Sequence, residues 1–103
     1  KRKLDKNNFE INSVIEKPSV GLAPSNNAVI GRYILPKEVF NKISKLKPGA
    51  GHEIHITDAI QSLIDDNEKF IAHNFSGKYL DCGTMNGYIN STLEIAKIWN
   101  YVW

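Results

Sequence analysis

The stretch that decides the fold runs from residue 52 to residue 67 and reads HEIHITDAIQSLIDDN. Its first residues alternate polar and apolar side chains, as extended backbone does, and its later residues repeat apolar side chains at helical spacing. The expected buried stripe of this helix consists of Ile60, Leu63 and Ile64. Either Thr57 or Asp58 can cap the start of the helix. The segment is therefore expected to begin extended and to continue as a helix.

The residues before this stretch predict two strands and a short helix. The first eight residues are polar and predict a loop or an exposed hairpin tip. FEINSVIEK, at residues 9–17, alternates and is closed by a proline, which predicts a strand ending at its lysine. AVIGRYIL, at residues 28–35, predicts a second strand. Pro36 and the apolar spacing after it predict a short amphipathic helix that ends at KPGAG, residues 47–51.

The residues after the stretch predict two more strands and a long helix. EKFIAHNF at residues 68–75 and GKYLD at residues 77–81 are short and β-like. The apolar face of the final helix consists of Met85, Tyr88, Ile89, Thr92, Ala96, Trp99 and Trp103. The order strand, strand, helix, helix, strand, strand, helix predicts the α/β class with a mixed sheet, of which so short a chain supplies only half.

Composition limits the class of protein. The 103 residues suffice for one small domain, and 42% apolar with 23% charged residues is ordinary for a globular chain. A net charge of +2 is too small to indicate nucleic acid as a partner. No apolar run approaches the roughly 20 residues of a membrane span. A single cysteine cannot form an internal disulfide, and nothing resembles a signal peptide, so we expect no membrane contact and a cytoplasmic protein.

Two short polar stretches could carry chemistry. Glu16 and Lys17 precede a proline, which we expect to hold Lys17 extended so that the two side chains leave on opposite faces. They are either a solvated ion pair or a hydroxyl acceptor beside a cation for phosphate. Asp81, before a glycine, is either a helix cap or Asx-turn former, or a ligand for Mg²⁺.

Other candidate groups are weaker. HEIH, at residues 52–55, lacks the spacing that places two histidines on one helical face in HExxH metalloproteases, so it does not indicate a zinc site. Cys82 has Asp81 rather than a base beside it, which disfavours a thiolate nucleophile. We therefore interpret Cys82 as a small packing residue.

Four linked motifs carry a resemblance to a known family. They are VIEKP (14–18), APSNNAVIGRYIL (23–35), KPGAGHEIHITDAI (47–60) and LDCGTMNGY (80–88). In order and in spacing they resemble the C-terminal half of the catalytic domain of bacterial UTP–glucose-1-phosphate uridylyltransferases. The resemblance implies a Rossmann-like sugar nucleotidyltransferase fold in which residues 1–103 form the C-terminal, sugar-phosphate-binding part. The N-terminal nucleotide-binding part, with its Gly-rich loop, has no counterpart in the sequence, so we expect the isolated chain to be inactive.

The resemblance also implies a reaction and a site. Enzymes of that family form UDP-glucose and pyrophosphate from UTP and glucose 1-phosphate with Mg²⁺ as cofactor. The implied roles are sugar-hydroxyl binding by Glu16, catalytic binding of the sugar phosphate by Lys17, contact with the sugar by Val29, Gly31 and Tyr33, and Mg²⁺ binding by Asp81. We also expect a homo-oligomer, because an incomplete sheet exposes its edges.

Two departures from the family pattern leave alternatives open. His55 stands where the family usually has glutamine, and residues 84–86 replace a stretch that commonly carries a lysine. One alternative is a glucose-1-phosphate thymidylyltransferase, although Asp81-Cys82-Gly83 is closer to the uridylyl pattern than to W-x-D-T-G. The other is a non-catalytic remnant or oligomerisation module that associates through its sheet edge and its aromatic C-terminal residues.

Overall fold

The computed structural model describes residues 2–101, which form one small sheet, three α-helices and long irregular connections. In chain order the elements are β1 (Arg2–Lys3), β2 (Asn8–Ile11), α1 (Glu38–Ile43), a 3₁₀ turn (Ala50–His52), α2 (Ile56–Asp65), β3 (Phe70–His73) and α3 (Met85–Ile98). The strand order is β1-β2-β3, and both pairings are antiparallel. The parallel neighbours that a mixed sheet requires stay a prediction.

The hairpin of β1 and β2 confirms the hairpin tip predicted for the first residues, as far as they are described. The Asp5 carboxylate closes its turn by accepting hydrogen bonds from the backbone N–H of Asn7 (2.8 Å) and of Asn8 (2.9 Å). A hydrogen bond from the Asn8 side-chain amide, together with these two backbone bonds, holds the pKa of Asp5 below its usual range. Arg2 pairs with Glu10 across the strands at 2.5 Å.

The core lies between the two short helices and the sheet. Val39 of α1 packs against Ala59 and Leu63 of α2, and all three are buried. The partly buried apolar side chains around them are Leu35, Ile43, Leu46, Ile56 and Phe70. At the edge of this helix pair Lys42 donates to Asp66 at 2.5 Å. The stripe predicted for α2 is confirmed at Ile60 and Leu63, while Ile64 is half-buried.

Three of the predicted strand extents are wrong. β2 ends at Ile11 and does not reach residue 17, and residues 28–35 and 77–81 lie outside the sheet of the described chain. A strand needs a neighbouring ladder for its backbone groups, and residues 14–16 are instead held by side chains of α2. In the second segment Ile34 is fully exposed and Leu35 is only partly buried, so the apolar run marks no buried strand face.

The predicted helix caps also need correction. α2 begins at Ile56 after His55, and neither Thr57 nor Asp58 caps it. The Thr57 hydroxyl donates to Glu16 and therefore serves another purpose than capping. The long final helix is confirmed as α3, but Ser91 is its only buried residue and its predicted apolar face is largely exposed. Trp103 lies outside the described residues. Within residues 2–101 no helix is long and apolar enough to cross a membrane.

Candidate functional site

The side chain of Glu16 is fixed by α2. The Thr57 Oγ1 donates to Glu16 Oε2 at 2.6 Å, and Thr57 is only 6% exposed. The other carboxylate oxygen of Glu16, Oε1, lies 4.0 Å from His55 Nδ1. Because Glu16 is only partly exposed and accepts from a buried hydroxyl, the interpretation of Glu16 and Lys17 as a simply solvated pair is wrong for Glu16.

A short chain of charged groups continues from Glu16 to Lys17. His55 Nε2 lies 3.9 Å from Glu53 Oε2, and the same oxygen lies 3.9 Å from Lys17 Nζ. The Lys17 side chain is 65% exposed, so its ammonium can still receive an anion such as phosphate. The geometry places a partly buried carboxylate and an exposed ammonium on one small surface.

The backbone at Lys17 differs from the expectation. We expected the following proline to hold Lys17 extended, but its φ is 41°, in the left-handed region, and the chain bends at Glu16 and Lys17. No sheet ladder imposes extended geometry here, because β2 has already ended. The positive φ of a lysine is uncommon and marks a locally constrained backbone.

Tyr33 lies next to this surface. Burial raises the pKa of the Tyr33 phenol above its usual value, and the negative charge of Glu16 raises that pKa further. Tyr33 is still 39% exposed. The structure thus brings together three of the residues selected from sequence, Glu16, Lys17 and Tyr33.

Val29 and Gly31 lie on the exposed connection that leads to Tyr33. Val29 is 54% exposed, and a Cβ added at Gly31 would meet no atom within 4 Å. Among the described residues, neither Val29 nor Gly31 forms a hydrogen bond or ion pair with Glu16. The space beside Gly31 is therefore open to a ligand, and the contact of both residues with a sugar stays a prediction.

Asp81 occupies a tight turn before α3. Its Oδ1 accepts from the Gly83 N–H at 2.8 Å, which confirms the Asx turn, whereas the helix cap is Thr84, whose Oγ1 accepts from the Gly87 N–H at 3.0 Å. The Asp81 carbonyl packs against α3 so closely that a Cβ at Gly87 would lie 2.3 Å from its oxygen. The glycine of α3 thereby sets the position of the aspartate.

The carboxylate of Asp81 suits one Mg²⁺ ligand rather than a complete metal cage. Asp81 is exposed, and no group of three or more His, Cys, Asp or Glu residues in the described chain could hold a metal. Mg²⁺ is commonly held by one or two carboxylates together with water and substrate phosphates, so a single exposed carboxylate fits that donor set. Cys82 is exposed, so its interpretation as a packing residue is wrong.

Three residues around Glu16 were not selected from sequence as site residues: Glu53, Thr57 and Gln61. Gln61 Oε1 accepts from the Val14 backbone N–H at 2.7 Å, two residues before Glu16. The available signal was the four-residue spacing of Thr57 and Gln61, which places two polar groups on one face of α2. That spacing shows a polar edge but does not show what it contacts.

Comparison with known proteins assigns the chain to a family. The family model described as nucleotidyl transferase matches residues 3–98. The chain belongs to the nucleotidyl transferase family. The predicted fold class and the resemblance on which it rests are confirmed.

Relatives of known sequence agree with the resemblance. The UTP–glucose-1-phosphate uridylyltransferase of Pseudomonas aeruginosa is 46% identical over 84 residues, which cover 82% of this chain and 30% of the relative. The enzyme of the same name from Bacillus subtilis is 42% identical over 88 residues, covering 85% of this chain and 30% of the relative. The chain thus spans about 30% of the length of the curated relatives it matches.

Solved structures show the same fold. UDP-glucose pyrophosphorylase complexed with UDP-glucose superposes with a TM-score of 0.86 at 43% identity, covering 93% of this chain and 36% of that chain. The apo form of UDP-glucose pyrophosphorylase gives a TM-score of 0.82, also at 43% identity, over 93% of this chain and 35% of that chain. The superposition therefore extends over the irregular connections as well as over the helices and strands.

Proposed function

We propose that this chain is the C-terminal, sugar-phosphate-binding part of a UTP–glucose-1-phosphate uridylyltransferase. The observation that carries the proposal is the pairing of a fixed acceptor with an exposed cation, Glu16 held by Thr57 and Lys17 beside it. The named relatives and the superposed UDP-glucose complex supply the substrate class. The nucleotide-binding part belongs to the remaining length that the relatives have and this chain does not span.

The roles of the residues follow from their chemistry. The Glu16 carboxylate accepts hydrogen bonds from sugar hydroxyls, and the Lys17 ammonium neutralises the attacking phosphate of glucose 1-phosphate. Gly31 and Val29 let the hexose approach the backbone, with Tyr33 beside it. Transfer of a uridylyl group needs mainly charge neutralisation and in-line positioning, which these groups supply on the sugar side.

Asp81 is the proposed protein ligand of Mg²⁺. Its exposed carboxylate and the rigid turn that holds it suit a divalent ion shared with substrate phosphates. When bound, the ion would neutralise charge on the phosphates as a Lewis acid. Asp81 itself contributes a hard oxygen ligand at a fixed position.

Base specificity for uracil rests on the relatives and on residues 81–83. The thymidylyl alternative predicts the same sugar-side chemistry, so the site residues described above do not separate the two. The assay is pyrophosphate release by the full-length protein that contains this segment, with glucose 1-phosphate and either UTP or dTTP. We expect release with UTP that depends on glucose 1-phosphate and Mg²⁺. No release, or release that requires dTTP, would overturn the proposal.

A further inference from the structure

Glu16 lies in a segment that the sheet does not hold. β2 ends at Ile11, and the chain is irregular from there through the bend at Glu16 and Lys17. A carboxylate on an unpaired connection has many accessible positions, and fixing it costs conformational entropy. Some other part of the molecule must therefore restrict Glu16 if it is to present a defined acceptor.

Two hydrogen bonds from α2 provide that restriction. Gln61 Oε1 accepts from the Val14 N–H at 2.7 Å, which fixes the backbone just before the site. Thr57 Oγ1 donates to Glu16 Oε2 at 2.6 Å, which fixes the carboxylate itself. Thr57 and Gln61 are four residues apart and therefore lie on the same face of α2.

The orientation of each group is set by a further contact. The Gln61 amide donates its Nε2–H to Asp65 Oδ1 at 2.7 Å, so its oxygen faces Val14. Thr57 is 6% exposed, so its hydroxyl would lose a partner in a nearly dry place if Glu16 turned away. The hydrogen bond to a carboxylate is charge-assisted and stronger than one between neutral groups.

We propose that Thr57 and Gln61 are positioning residues that hold the Glu16 carboxylate for the sugar hydroxyls of glucose 1-phosphate. This inference rests on the proposed function, and it adds that α2 rather than the sheet positions the carboxylate that accepts from the sugar hydroxyls. Thr57 donates to Oε2 of Glu16, and Oε1, which lies 4.0 Å from His55 Nδ1, is the acceptor for substrate. In this role Thr57 and Gln61 act through Glu16 and do not themselves contact the substrate.

The test uses steady-state kinetics of the full-length protein that contains this segment. Thr57→Val removes the hydroxyl and keeps the shape of the side chain, while Thr57→Ser keeps the hydroxyl. We expect Thr57→Val to raise KM for glucose 1-phosphate about ten- to a hundredfold, the range for a lost hydrogen bond to a charged group, with KM for UTP unchanged. Thr57→Ser should keep KM for glucose 1-phosphate close to the wild-type value.

Gln61→Met provides a second variant, because methionine has a similar length and no strong acceptor for the Val14 N–H. It should raise KM for glucose 1-phosphate in the same direction. Ser62→Ala is the matched control on α2, since the Ser62 side chain makes none of these contacts, and it should change neither KM. Thermal melting of each variant identifies a general loss of folding, which would lower kcat and change KM for both substrates.

The outcomes separate the inference from the function on which it rests. If the wild-type protein releases pyrophosphate but Thr57→Val and Thr57→Ser behave alike, or if both KM values rise together, the positioning role is overturned and the proposed function stands. If the wild-type protein releases none with UTP and glucose 1-phosphate, both are overturned. A rise in KM for glucose 1-phosphate alone in Thr57→Val, with a KM near the wild-type value in Thr57→Ser, supports both the positioning role and the proposed function.

Discussion

At the scale of single residues, the side chains of the site act on one another through hydrogen bonds and through charge. Tyr33 provides a direct check, because both burial and the Glu16 charge raise the pKa of its phenol. Glu16→Gln removes the charge and leaves the burial. We therefore expect the pKa of Tyr33 to fall in this variant but to stay above its ordinary value of 10.0.

The measurement for Tyr33 is a pH titration followed by NMR of chains labelled at the tyrosine Cζ, which separates Tyr33 from the other tyrosines. Glu10→Gln is the matched control, since Glu10 pairs with Arg2 in the hairpin. Glu10→Gln should leave the pKa of Tyr33 unchanged. An unchanged midpoint in Glu16→Gln would show that the two groups are not adjacent.

Two glycines provide an opposed pair of predictions. Ala at position 87 would place a Cβ 2.3 Å from the Asp81 carbonyl oxygen, whereas Ala at position 31 would meet nothing within 4 Å. Gly87→Ala should therefore lower the melting temperature despite the better helix propensity of alanine, which is worth about 0.5–1 kcal/mol. It should also raise the Mg²⁺ concentration needed for activity, because Asp81 must move.

Gly31→Ala should leave the melting temperature unchanged and weaken binding of glucose 1-phosphate, because the methyl group fills space proposed for the sugar. Differential scanning fluorimetry and substrate titrations of the full-length protein measure both effects. Equal melting temperatures for Gly87→Ala and the wild type would contradict the close packing of Asp81 on α3.

At the scale of elements, stability depends on the small core between α1 and α2. Leu63 is 2% exposed in this core, whereas Leu93 of α3 is 46% exposed. Leu63→Ala should cost about 2–5 kcal/mol of the free energy of unfolding, the usual range for a buried leucine. Leu93→Ala should cost far less. Urea unfolding of both variants checks the difference, and equal losses would contradict this placement of the core.

The elements also show what sequence could and could not predict. The helical spacing of Ile60 and Leu63 identified α2, because a helix forms its own backbone hydrogen bonds and needs only one buried stripe. The alternation in residues 9–17 and the apolar run in residues 28–35 did not identify strand ends. A strand depends on a neighbour that may lie far away in sequence, and here β2 pairs with β3 instead of extending.

The site was predictable only where a motif carried it. The family resemblance supplied Glu16 and Lys17 through VIEKP, and Tyr33 through AVIGRYIL. Thr57 was assigned as a possible helix cap, because a threonine hydroxyl can either cap a helix or donate to a distant side chain. Its partner Glu16 is distant in sequence and leaves no local pattern. Asp81 was correctly assigned an Asx turn among its alternatives, and its metal role stays a proposal.

At the scale of the whole molecule, a large apolar surface is exposed. On α3 it includes Met85, Tyr88, Ile89, Leu93, Ile95 and Ile98. Such a surface is typical of one that another polypeptide covers. The expected homo-oligomer is one way to cover it and stays a prediction.

Lys17 is the proposed phosphate-binding cation of a sugar nucleotidyltransferase, and its charge is the feature on which the proposed function depends most. The most direct test compares Lys17→Met with Lys45→Met in the full-length protein, since Lys45 is exposed and forms none of the ion pairs described above. The measurement is kcat/KM for glucose 1-phosphate at saturating UTP and Mg²⁺. We predict a loss of roughly tenfold to a hundredfold or more for Lys17→Met, because a charged phosphate contact is removed, and no loss for Lys45→Met. Equal kcat/KM values for the two variants would contradict the account.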